Sequence, residues 1–241
     1  MNRIDTAVIM AAGIGSRFGE RTELIPKGFI PFRGIPMVLR SIETLIRAGI
    51  SRIIIGTGYH KEYYEFLEKI FPQVTTVFSP LFAETNSMMT LYCCRNEIAG
   101  QPFLLLESDI IYQPQAIEAL MADPASDIIL ITPVTKFQDQ YYVECDSAGN
   151  LSACSTDASA LTPAGELVGI HRLSPRFFRQ MCADFESHLP TDTRLGYEYE
   201  ILRTACRPDF SMKVLSLPGL QWYEIDDEAD LHYAESHINI D

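Results

Sequence analysis

The chain has 241 residues, of which 47% are hydrophobic, and its formal net charge is −13 at pH 7. This length suits one large α/β domain or two small ones, and the charge argues against nucleic acid or an anionic membrane as a partner. No apolar run reaches the roughly 18 residues of a membrane span, and the N-terminus lacks the pattern of a signal peptide. Six cysteines without a C-x-x-C pair favour reduced thiols over zinc or disulfides, and hence a cytoplasmic protein.

The charge is distributed unevenly along the chain. Residues 1–61 carry nine of the 19 Lys and Arg but only four of the 32 Asp and Glu. This division suits a phosphate-rich ligand near the N-terminus and a metal or cationic ligand held by later residues. For most of these charges, the alternative is that they keep a soluble protein soluble.

Strands and helices are predicted to alternate over the first 80 residues. In chain order they are a strand at 7–12, a helix at 35–48, a strand at 52–58, a helix at 61–71 and a strand at 73–78. This β-α-β-α-β order predicts a parallel sheet with right-handed crossovers.

Antiparallel pieces are predicted to enter this pattern in the second half. The predicted strands are 103–109, 127–132, 141–146, 151–155, 167–172 and 212–217, and the predicted helices are 114–121, 175–187, 197–205 and 228–237, with a helix cap at 85–87. We therefore expect an α/β fold: a Rossmann-like, mostly parallel mixed sheet flanked by helices, with a small antiparallel lid-like insertion. We expect residues 1–241 to form a single domain.

The first strand opens directly into a glycine-rich loop, which Pro26-Lys27 follows. This loop, the phosphate loop below, consists of Ala11, Ala12, Gly13, Ile14, Gly15, Ser16 and Arg17. Backbone N–H groups in such loops bind phosphate oxygens, and Arg17 and Lys27 add positive charge. The spacing differs from the dinucleotide fingerprint, and no G-K-[ST] occurs. The stretch predicts a nucleoside triphosphate site, with an ordinary glycine turn as the alternative.

Carboxylates follow two of the apolar segments. Asp109 comes at the end of a predicted buried strand, where ligands of open α/β sheets bind, and Asp226 lies in W-Y-E-I-D. Mg²⁺ is usually held by one or two carboxylates together with phosphate oxygens, so both are candidate Mg²⁺ ligands. Capping of the following helix is the alternative for each. Glu107 can share the face of Asp109, and Glu224 that of Asp226.

A third acidic segment interleaves tyrosines with carboxylates: Tyr197, Glu198, Tyr199 and Glu200. This pattern suits a cationic group such as an ammonium. A solvated helix face is the alternative.

With these residues assembled, the chain resembles nucleotidyltransferases with a glycosyltransferase-A-like fold over nearly its whole length. The pattern A-A-G-x-G-[ST]-R followed by P-K occurs at 11–17 and 26–27, and the metal-binding Asp positions match Asp109 and Asp226. A narrower resemblance, at 85–92, 106–110, 165–171 and 197–198, is to bacterial phosphocholine cytidylyltransferases and their aminoethylphosphonate-using relatives. The phosphate loop continues as Phe18-Gly19-Glu20, where sugar-nucleotide enzymes more often have leucine and proline.

The resemblance implies transfer of CMP from CTP to a phosphate or phosphonate monoester, with release of pyrophosphate and with Mg²⁺ as cofactor. Arg17 would offset charge on the leaving phosphates, and Lys27 would stabilise charge at the α-phosphorus. Asn86 and Ser87 would contact the cytosine or the ribose. The acceptor would be contacted by Tyr112, Lys136, Glu166, Tyr197, Glu198 and Glu200.

Three questions stay open at this point. The acceptor could instead be a sugar or polyol phosphate, and the chain could be a nucleotide-binding regulatory domain without catalysis. The presence of Lys27 and of acidic metal ligands favours catalysis. The oligomeric state is also open, a homodimer included. For Lys136, an exposed surface lysine is the alternative.

Overall fold

A large mixed sheet organises the molecule, and the computed structural model describes residues 4–135, 140–189 and 193–240. The strands are β1 (Thr6–Ala11), β2 (Pro31–Phe32), β3 (Ile35–Pro36), β4 (Arg52–Thr57), β5 (Val74–Phe78), β6 (Phe103–Glu107), β7 (Ile110–Tyr112), β8 (Ile128–Thr132), β9 (Tyr142–Cys145), β10 (Leu151–Ser155), β11 (Gly165–Leu173), β12 (Lys213–Ser216) and β13 (Trp222–Glu224).

Helices pack on both faces of this sheet. They are α1 (Glu20–Leu24), α2 (Met37–Arg47), α3 (Lys61–Leu67), α4 (Ser87–Cys93), α5 (Arg95–Ile98), α6 (Gln115–Ala122), α7 (Pro175–His188), α8 (Tyr197–Ala205) and α9 (Glu228–His237). Among the residues that the structure describes, no helix is long and apolar enough to cross a membrane.

β1 lies in the middle of the sheet, parallel to β4 on one side and to β6 on the other. The strand order is β10-β9-β11-β6-β1-β4-β5, and β8 joins β11 to β12 beside this path. β11 runs antiparallel to β6, β8 and β9. Because β1 and β6 are parallel neighbours, their carboxyl ends meet at one edge of the sheet.

Alternation along β1 explains the two layers of helices. Ala7 and Ile9 face one core cluster, which contains apolar side chains of α2, α3 and α6. Val8 and Met10 face the opposite cluster, which contains side chains of α4, α7 and α8. Successive side chains of a strand point to opposite faces, so a strand buried on both sides must be apolar at every position. From Ala7 to Ala11 the sequence of β1 meets that requirement.

The predicted α/β fold is confirmed, and the structure differs from the prediction in its details. The predicted hairpin is present as β9 and β10, and β9 pairs with β11, so the insertion extends the main sheet. Two small antiparallel pairs, β2 with β3 and β7 with β13, were not predicted, because strands of two or three residues show no periodicity. The second pair carries Glu224 to Ile110, beside the end of β6.

Candidate active site

The phosphate loop leaves β1 at the carboxyl edge of the sheet, and its shape depends on Gly15. Gly15 has a φ of 68°, which is the left-handed region that favours glycine. A Cβ atom on Gly15 would lie 3.1 Å from both Cβ of Lys27 and Cγ2 of Thr22. The hydroxyl of Thr22 donates to the carbonyl oxygens of Gly15 and Gly19, at 3.0 and 3.1 Å. The loop is therefore held from behind, while Gly13 and Ser16 are exposed.

Two basic residues and two acidic residues form a connected group at this edge. The Nζ atom of Lys27 lies 2.5 Å from Oδ2 of Asp109 and 2.5 Å from Oδ1 of Asp226. A guanidinium nitrogen of Arg17 lies 2.7 Å from the same Oδ1 of Asp226. The side chain of Lys27 is 12% exposed and that of Arg17 is 56% exposed. The structure thus joins the start of the chain to its last strand and helix through charged contacts.

Asp226 does not cap the helix that follows it. The side chain of Asp227 accepts hydrogen bonds from the backbone N–H groups of Ala229 and Asp230, and it is the N-cap of α9. The carboxylate of Asp226 instead meets Lys27 and Arg17, and its backbone N–H donates to the Asp230 side chain. Asp227 therefore caps α9, whereas its neighbour Asp226 belongs to the charged group with Lys27 and Arg17.

Glu107 and Glu224 join the carboxylates of the site, although the sequence analysis placed neither among the candidate ligands. Ligand oxygens of Glu107, Asp109 and Glu224 lie within 4.8 Å of one another. The available signal was the motif E-x-D, which occurs at 107–109 and again at 224–226. The convergence of the two motifs depends on the pairing of β7 with β13.

The donor chemistry of this group suits a hard divalent cation, since it consists of carboxylate oxygens. Asp109 and Asp226 already converge on one positive group, the ammonium of Lys27. Glu107 and Glu224 lie beside Asp109 and add further oxygen donors to the cluster. The residues therefore fit a metal ion at this place.

Burial and charge shift the pKa values of these groups. Burial by itself lowers the pKa of Lys27, but the adjacent carboxylates of Asp109 and Asp226 outweigh it and raise the pKa well above its ordinary value. Burial and then the neighbouring carboxylates raise the pKa of Glu107 well above its ordinary value, and they raise that of Glu224 to about 8. Burial raises the pKa of Glu198 to about 7. A cation bound at this site would lower the pKa values of these carboxyl groups and favour their charged forms.

Two cavities meet at this cluster, and Glu107 and Glu224 line both. We call them the nucleotide cavity and the acceptor cavity after the roles that we propose for them below. The first, the nucleotide cavity, is lined by Met10, Ala12, Gly13, Phe82, Thr85, Asn86, Ser87, Thr90, Glu107, Asp109, Tyr197 and Glu224. The second, the acceptor cavity, is lined by Arg17, Glu107, Gln140, Tyr141, Thr156, Leu167, Gly169, Glu198, Glu224 and Asp226. Their volumes are about 200 and 510 Å³.

Asn86 and Ser87 lie at the nucleotide cavity and begin α4. The side chain of Asn86 is the N-cap of this helix and accepts from the backbone N–H of Ser87. The Oγ atom of Ser87 accepts a hydrogen bond from the backbone N–H of Tyr197 at 3.0 Å. Tyr197 in turn donates its hydroxyl to Oε1 of Glu107 at 2.6 Å. A chain of contacts therefore connects α4, α8 and the end of β6.

Glu198 and Glu200 lie two positions apart on α8 and point in different directions. Glu198 lines the acceptor cavity. The side chain of Glu200 is fully buried, and Oε2 lies 4.0 Å from a guanidinium nitrogen of Arg203. Two positions on an α-helix differ by about 200°, so only one of them can face the cavity. The structure does not bring Glu200 to the acceptor cavity.

Tyr112 and Glu166 also lie away from the acceptor cavity. Tyr112 is 5% exposed, packs in the core cluster on the α2 side of the sheet and lines a different cavity beside Ser41 and Thr44. Its neighbour Ile111 faces another core cluster, as strand alternation requires. Both carboxylate oxygens of Glu166 accept hydrogen bonds from Thr135, at 2.9 and 2.5 Å. Lys136 lies outside the described residues.

The chain is similar to several curated proteins. Over 241 aligned positions the chain is 27% identical to CMP-5'-(3-aminopropyl)phosphonate synthase of Streptomyces rubellomurinus, which covers 95% of this chain and 38% of that protein. It is 32% identical over 111 residues to 2-aminoethylphosphonate cytidylyltransferase of Lancefieldella rimae, covering 46% of this chain and 45% of that protein. It is 37% identical over 94 residues to choline-phosphate cytidylyltransferase of Streptococcus pneumoniae, covering 39% and 41%. The matches thus span less than half the length of these relatives.

Solved structures share the fold. The CTP:phosphocholine cytidylyltransferase of Streptococcus pneumoniae superposes with a TM-score of 0.80 at 21% identity, over 97% of this chain and 98% of that chain. The inositol-1-phosphate CTP transferase of T. maritima superposes with a TM-score of 0.79 at 18% identity, over 98% of both chains. The family model for the MobA-like NTP transferase domain matches residues 7–195. The resemblance inferred from the sequence is confirmed, and the chain belongs to the MobA-like NTP transferase family.

Proposed function

We propose that the chain transfers CMP from CTP to a small aminoalkyl phosphate or phosphonate and releases pyrophosphate. One observation carries this proposal: a cavity beside the phosphate loop meets a second cavity that is rich in carboxylates. A triphosphate donor suits the first cavity, and an acceptor with a cationic head suits the second. The names of the curated relatives, which act on aminoalkyl phosphonates and choline phosphate, support the same reaction.

The proposed chemistry is an in-line displacement at the α-phosphorus. An ionised oxygen of the acceptor forms a new P–O bond as the bond from the α-phosphorus to the bridging oxygen breaks. Pyrophosphate leaves with that electron pair. The acceptor oxygen is already ionised at neutral pH, so no side chain has to remove a proton. Catalysis then consists of positioning and of charge neutralisation.

The basic residues of the site supply part of that charge. We propose that the backbone of the phosphate loop binds the triphosphate, with Arg17 beside the β- and γ-phosphates and Lys27 beside the α-phosphorus. Lys27 is held by Asp109 and Asp226, so its ammonium is already positioned. Arg17 is largely exposed, which leaves it accessible to a ligand.

We propose Mg²⁺ as the cofactor, with Asp109 and Asp226 as its ligands. Both carboxylates already share one cation, and hard oxygen donors suit Mg²⁺. When bound, Mg²⁺ supplies positive charge that offsets the charge of the phosphates. Glu107 and Glu224 lie next to this place and face the acceptor cavity.

We propose that Asn86 and Ser87 contact the cytosine or the ribose of CTP. Both line the nucleotide cavity, as do Thr85 and the phosphate loop residue Gly13. Ser87 is held by Tyr197, so nucleotide contacts and the acceptor cavity are connected through α8. CTP as the donor agrees with the curated relatives, each of which carries CMP or a cytidylyl group in its name.

A sugar or polyol phosphate is the alternative acceptor. Such a compound binds best to neutral hydrogen-bonding groups, whereas the described lining of the acceptor cavity contains Glu107, Glu198, Glu224 and Asp226. That lining favours a cationic acceptor.

We also propose that the protein acts in the cytoplasm, since its cysteines are free thiols.

Pyrophosphate release across a matrix of substrates tests the proposal. The donors are CTP, UTP, ATP and GTP, and the acceptors are 2-aminoethylphosphonate, 3-aminopropylphosphonate, phosphoethanolamine, phosphocholine, glucose 1-phosphate and inositol 1-phosphate. We expect release with CTP and an aminoalkyl acceptor, and loss of release when EDTA removes Mg²⁺. Release with a sugar phosphate alone would favour the alternative, and release with no pair would contradict catalysis.

A further inference from the structure

The acceptor cavity contains four carboxylates and, among its described lining residues, one aromatic ring. The carboxylates are those of Glu107, Glu198, Glu224 and Asp226, and the ring is that of Tyr141. A trimethylammonium group has no N–H donor, and proteins hold it in cages of several aromatic faces. A primary ammonium has three N–H donors, which carboxylate oxygens accept. The described lining thus suits a primary ammonium.

Two neighbours, Tyr197 and Gly169, define the position of the Glu107 carboxylate. Its Oε1 atom accepts the hydroxyl of Tyr197 at 2.6 Å. Its Oε2 atom faces Gly169, where a Cβ atom would lie only 2.5 Å away. The side chain of Tyr197 is 1% exposed, so neighbouring groups fix its hydroxyl as well.

The backbone at Gly169 makes room for this carboxylate. Gly169 has a φ of 77°, which side chains rarely adopt. The register of β11 against β8 shifts between Leu167 and His171, so an irregularity of the strand surrounds this glycine. A glycine here is explained by the close approach of Glu107. A hydrogen bond from Tyr197 therefore holds the carboxylate on one side, and the lack of a side chain at Gly169 leaves room for it on the other.

Building on the proposed function, we propose that the cationic head of the acceptor is a primary ammonium. Glu107, positioned by Tyr197 and Gly169, is the carboxylate that selects it over a trimethylated head. Glu107 lies at the junction of the two cavities, beside both Asp109 and Glu224. An acceptor bound there places its head among the carboxylates of the second cavity.

Methylation of the acceptor nitrogen removes the N–H groups that donate hydrogen bonds to these carboxylates. Each added methyl group deletes one N–H donor and leaves a carboxylate oxygen without a partner, while it also enlarges the head. A site built to accept hydrogen bonds discriminates strongly against analogues that lack the donor. We expect kcat/KM to fall at each step, by at least about 100-fold over the whole series.

A methylation series at constant charge tests this selection. The wild-type enzyme is assayed with saturating CTP and Mg²⁺ and with 2-aminoethylphosphonate or 3-aminopropylphosphonate carrying zero, one, two or three N-methyl groups. A stepwise fall in kcat/KM is the expected result. Equal or higher kcat/KM for the trimethylated acceptors would overturn the inference but leave the proposed function intact. No pyrophosphate release with any acceptor would overturn the proposed function, and the inference with it.

Variants of the selecting carboxylate separate selection from a structural role. We expect Glu107→Gln to lower kcat/KM at least about 10-fold more for the acceptor with a primary ammonium than for the trimethylated one. Gly169→Ala should lower the ratio of kcat/KM for the primary ammonium to kcat/KM for the trimethylated acceptor, because the added Cβ atom displaces Glu107. Glu43→Gln, on the exposed face of α2, is the matched control and should keep the wild-type ratio. Equal losses for both acceptors in Glu107→Gln would overturn the assignment of Glu107.

Discussion

The Nζ atom of Lys27 lies 2.5 Å from Oδ1 of Asp226, although the two residues are 199 positions apart in the chain. The same nitrogen lies 2.5 Å from Oδ2 of Asp109. One ammonium group therefore holds two carboxylates together at the place where we propose that Mg²⁺ binds. The charge balance of the site depends on the lysine as much as on the carboxylates.

Lys27→Ala should therefore affect both turnover and folding. We expect kcat to fall by at least about 100-fold, because the change removes positive charge from the reacting phosphate. We also expect the free energy of unfolding to fall by about 3 kcal/mol in EDTA, because two largely buried carboxylates lose their shared cation. Single-turnover rates and urea unfolding measure the two effects.

Lys61→Ala is the control for this change. The Nζ atom of Lys61 pairs with Glu65 one helical turn away, and both side chains are more than 40% exposed. Exposed pairs of this kind contribute little to stability, so turnover and unfolding should both match the wild type. Wild-type turnover in Lys27→Ala would remove Lys27 from the mechanism.

Asp226 and Asp227 are neighbours with separate roles, and the same substitution should distinguish them. Asp226→Asn should abolish the activation of pyrophosphate release by Mg²⁺, because it removes the charge of a carboxylate that we propose as a ligand and that Lys27 and Arg17 contact. Asp227→Asn should change little, because asparagine caps a helix about as well as aspartate. Titration of activity with MgCl₂ measures both. An unchanged metal response in Asp226→Asn would contradict its assignment as a ligand.

The carboxyl of Glu198 predicts how stability depends on pH. Burial raises its pKa from 4.5 to about 7 in the folded protein. Between these values the folded state keeps a proton that the unfolded state releases, so the free energy of unfolding falls as pH rises through this window. Glu198→Gln lacks this titration. We expect it to be more stable than the wild type at pH 8, by about 1–3 kcal/mol, and nearly equal at pH 4.5.

Urea unfolding of both proteins at the two pH values measures the difference. Glu65→Gln, an exposed carboxylate on α3, is the control and should show no gap that grows with pH. A constant difference between Glu198→Gln and the wild type would show that Glu198 does not titrate in this window. In the same range, the KM of the wild type for a cationic acceptor should fall as pH rises, because the carboxylate becomes charged.

Two glycines of the phosphate loop should respond differently to alanine. Gly15→Ala should lower the free energy of unfolding by about 1–2 kcal/mol, because the left-handed φ and the contacts with Lys27 and Thr22 oppose a side chain. Gly13→Ala should leave unfolding unchanged, since open space surrounds that position, but it should raise the KM for CTP. An unchanged KM in Gly13→Ala would show that the triphosphate does not approach the backbone there.

The sequence predicted the fold well, because its signals were local. The apolar run of β1, the glycine loop and the helical spacing of Val38, Ile42 and Leu45 each follow from neighbouring residues. The strands β7 and β13 could not be predicted in this way, because three residues carry no period. Their pairing nonetheless determines where Glu224 lies.

The candidate site was harder to predict for the same reason. Asp109 and Asp226 follow apolar segments, so each could be recognised by itself. That Glu107 and Glu224 approach the same point depends on contacts between distant parts of the chain. Glu198 and Glu200 both lie near the start of α8. The orientation of this helix in the fold decides that Glu198 faces the cavity and Glu200 does not.

The contact of Arg17 with Asp226 spans 209 positions, which has a consequence for a chain still in synthesis. The phosphate loop leaves the ribosome about two hundred residues before β13 and the start of α9. Until β13 docks against β7, Arg17 and Lys27 lack the carboxylate of Asp226, although Asp109 is already available to Lys27. Long-range contacts of this kind form late in folding. The charged group at the carboxyl edge of the sheet is therefore complete only after the segment that carries Asp226 has been made and has docked.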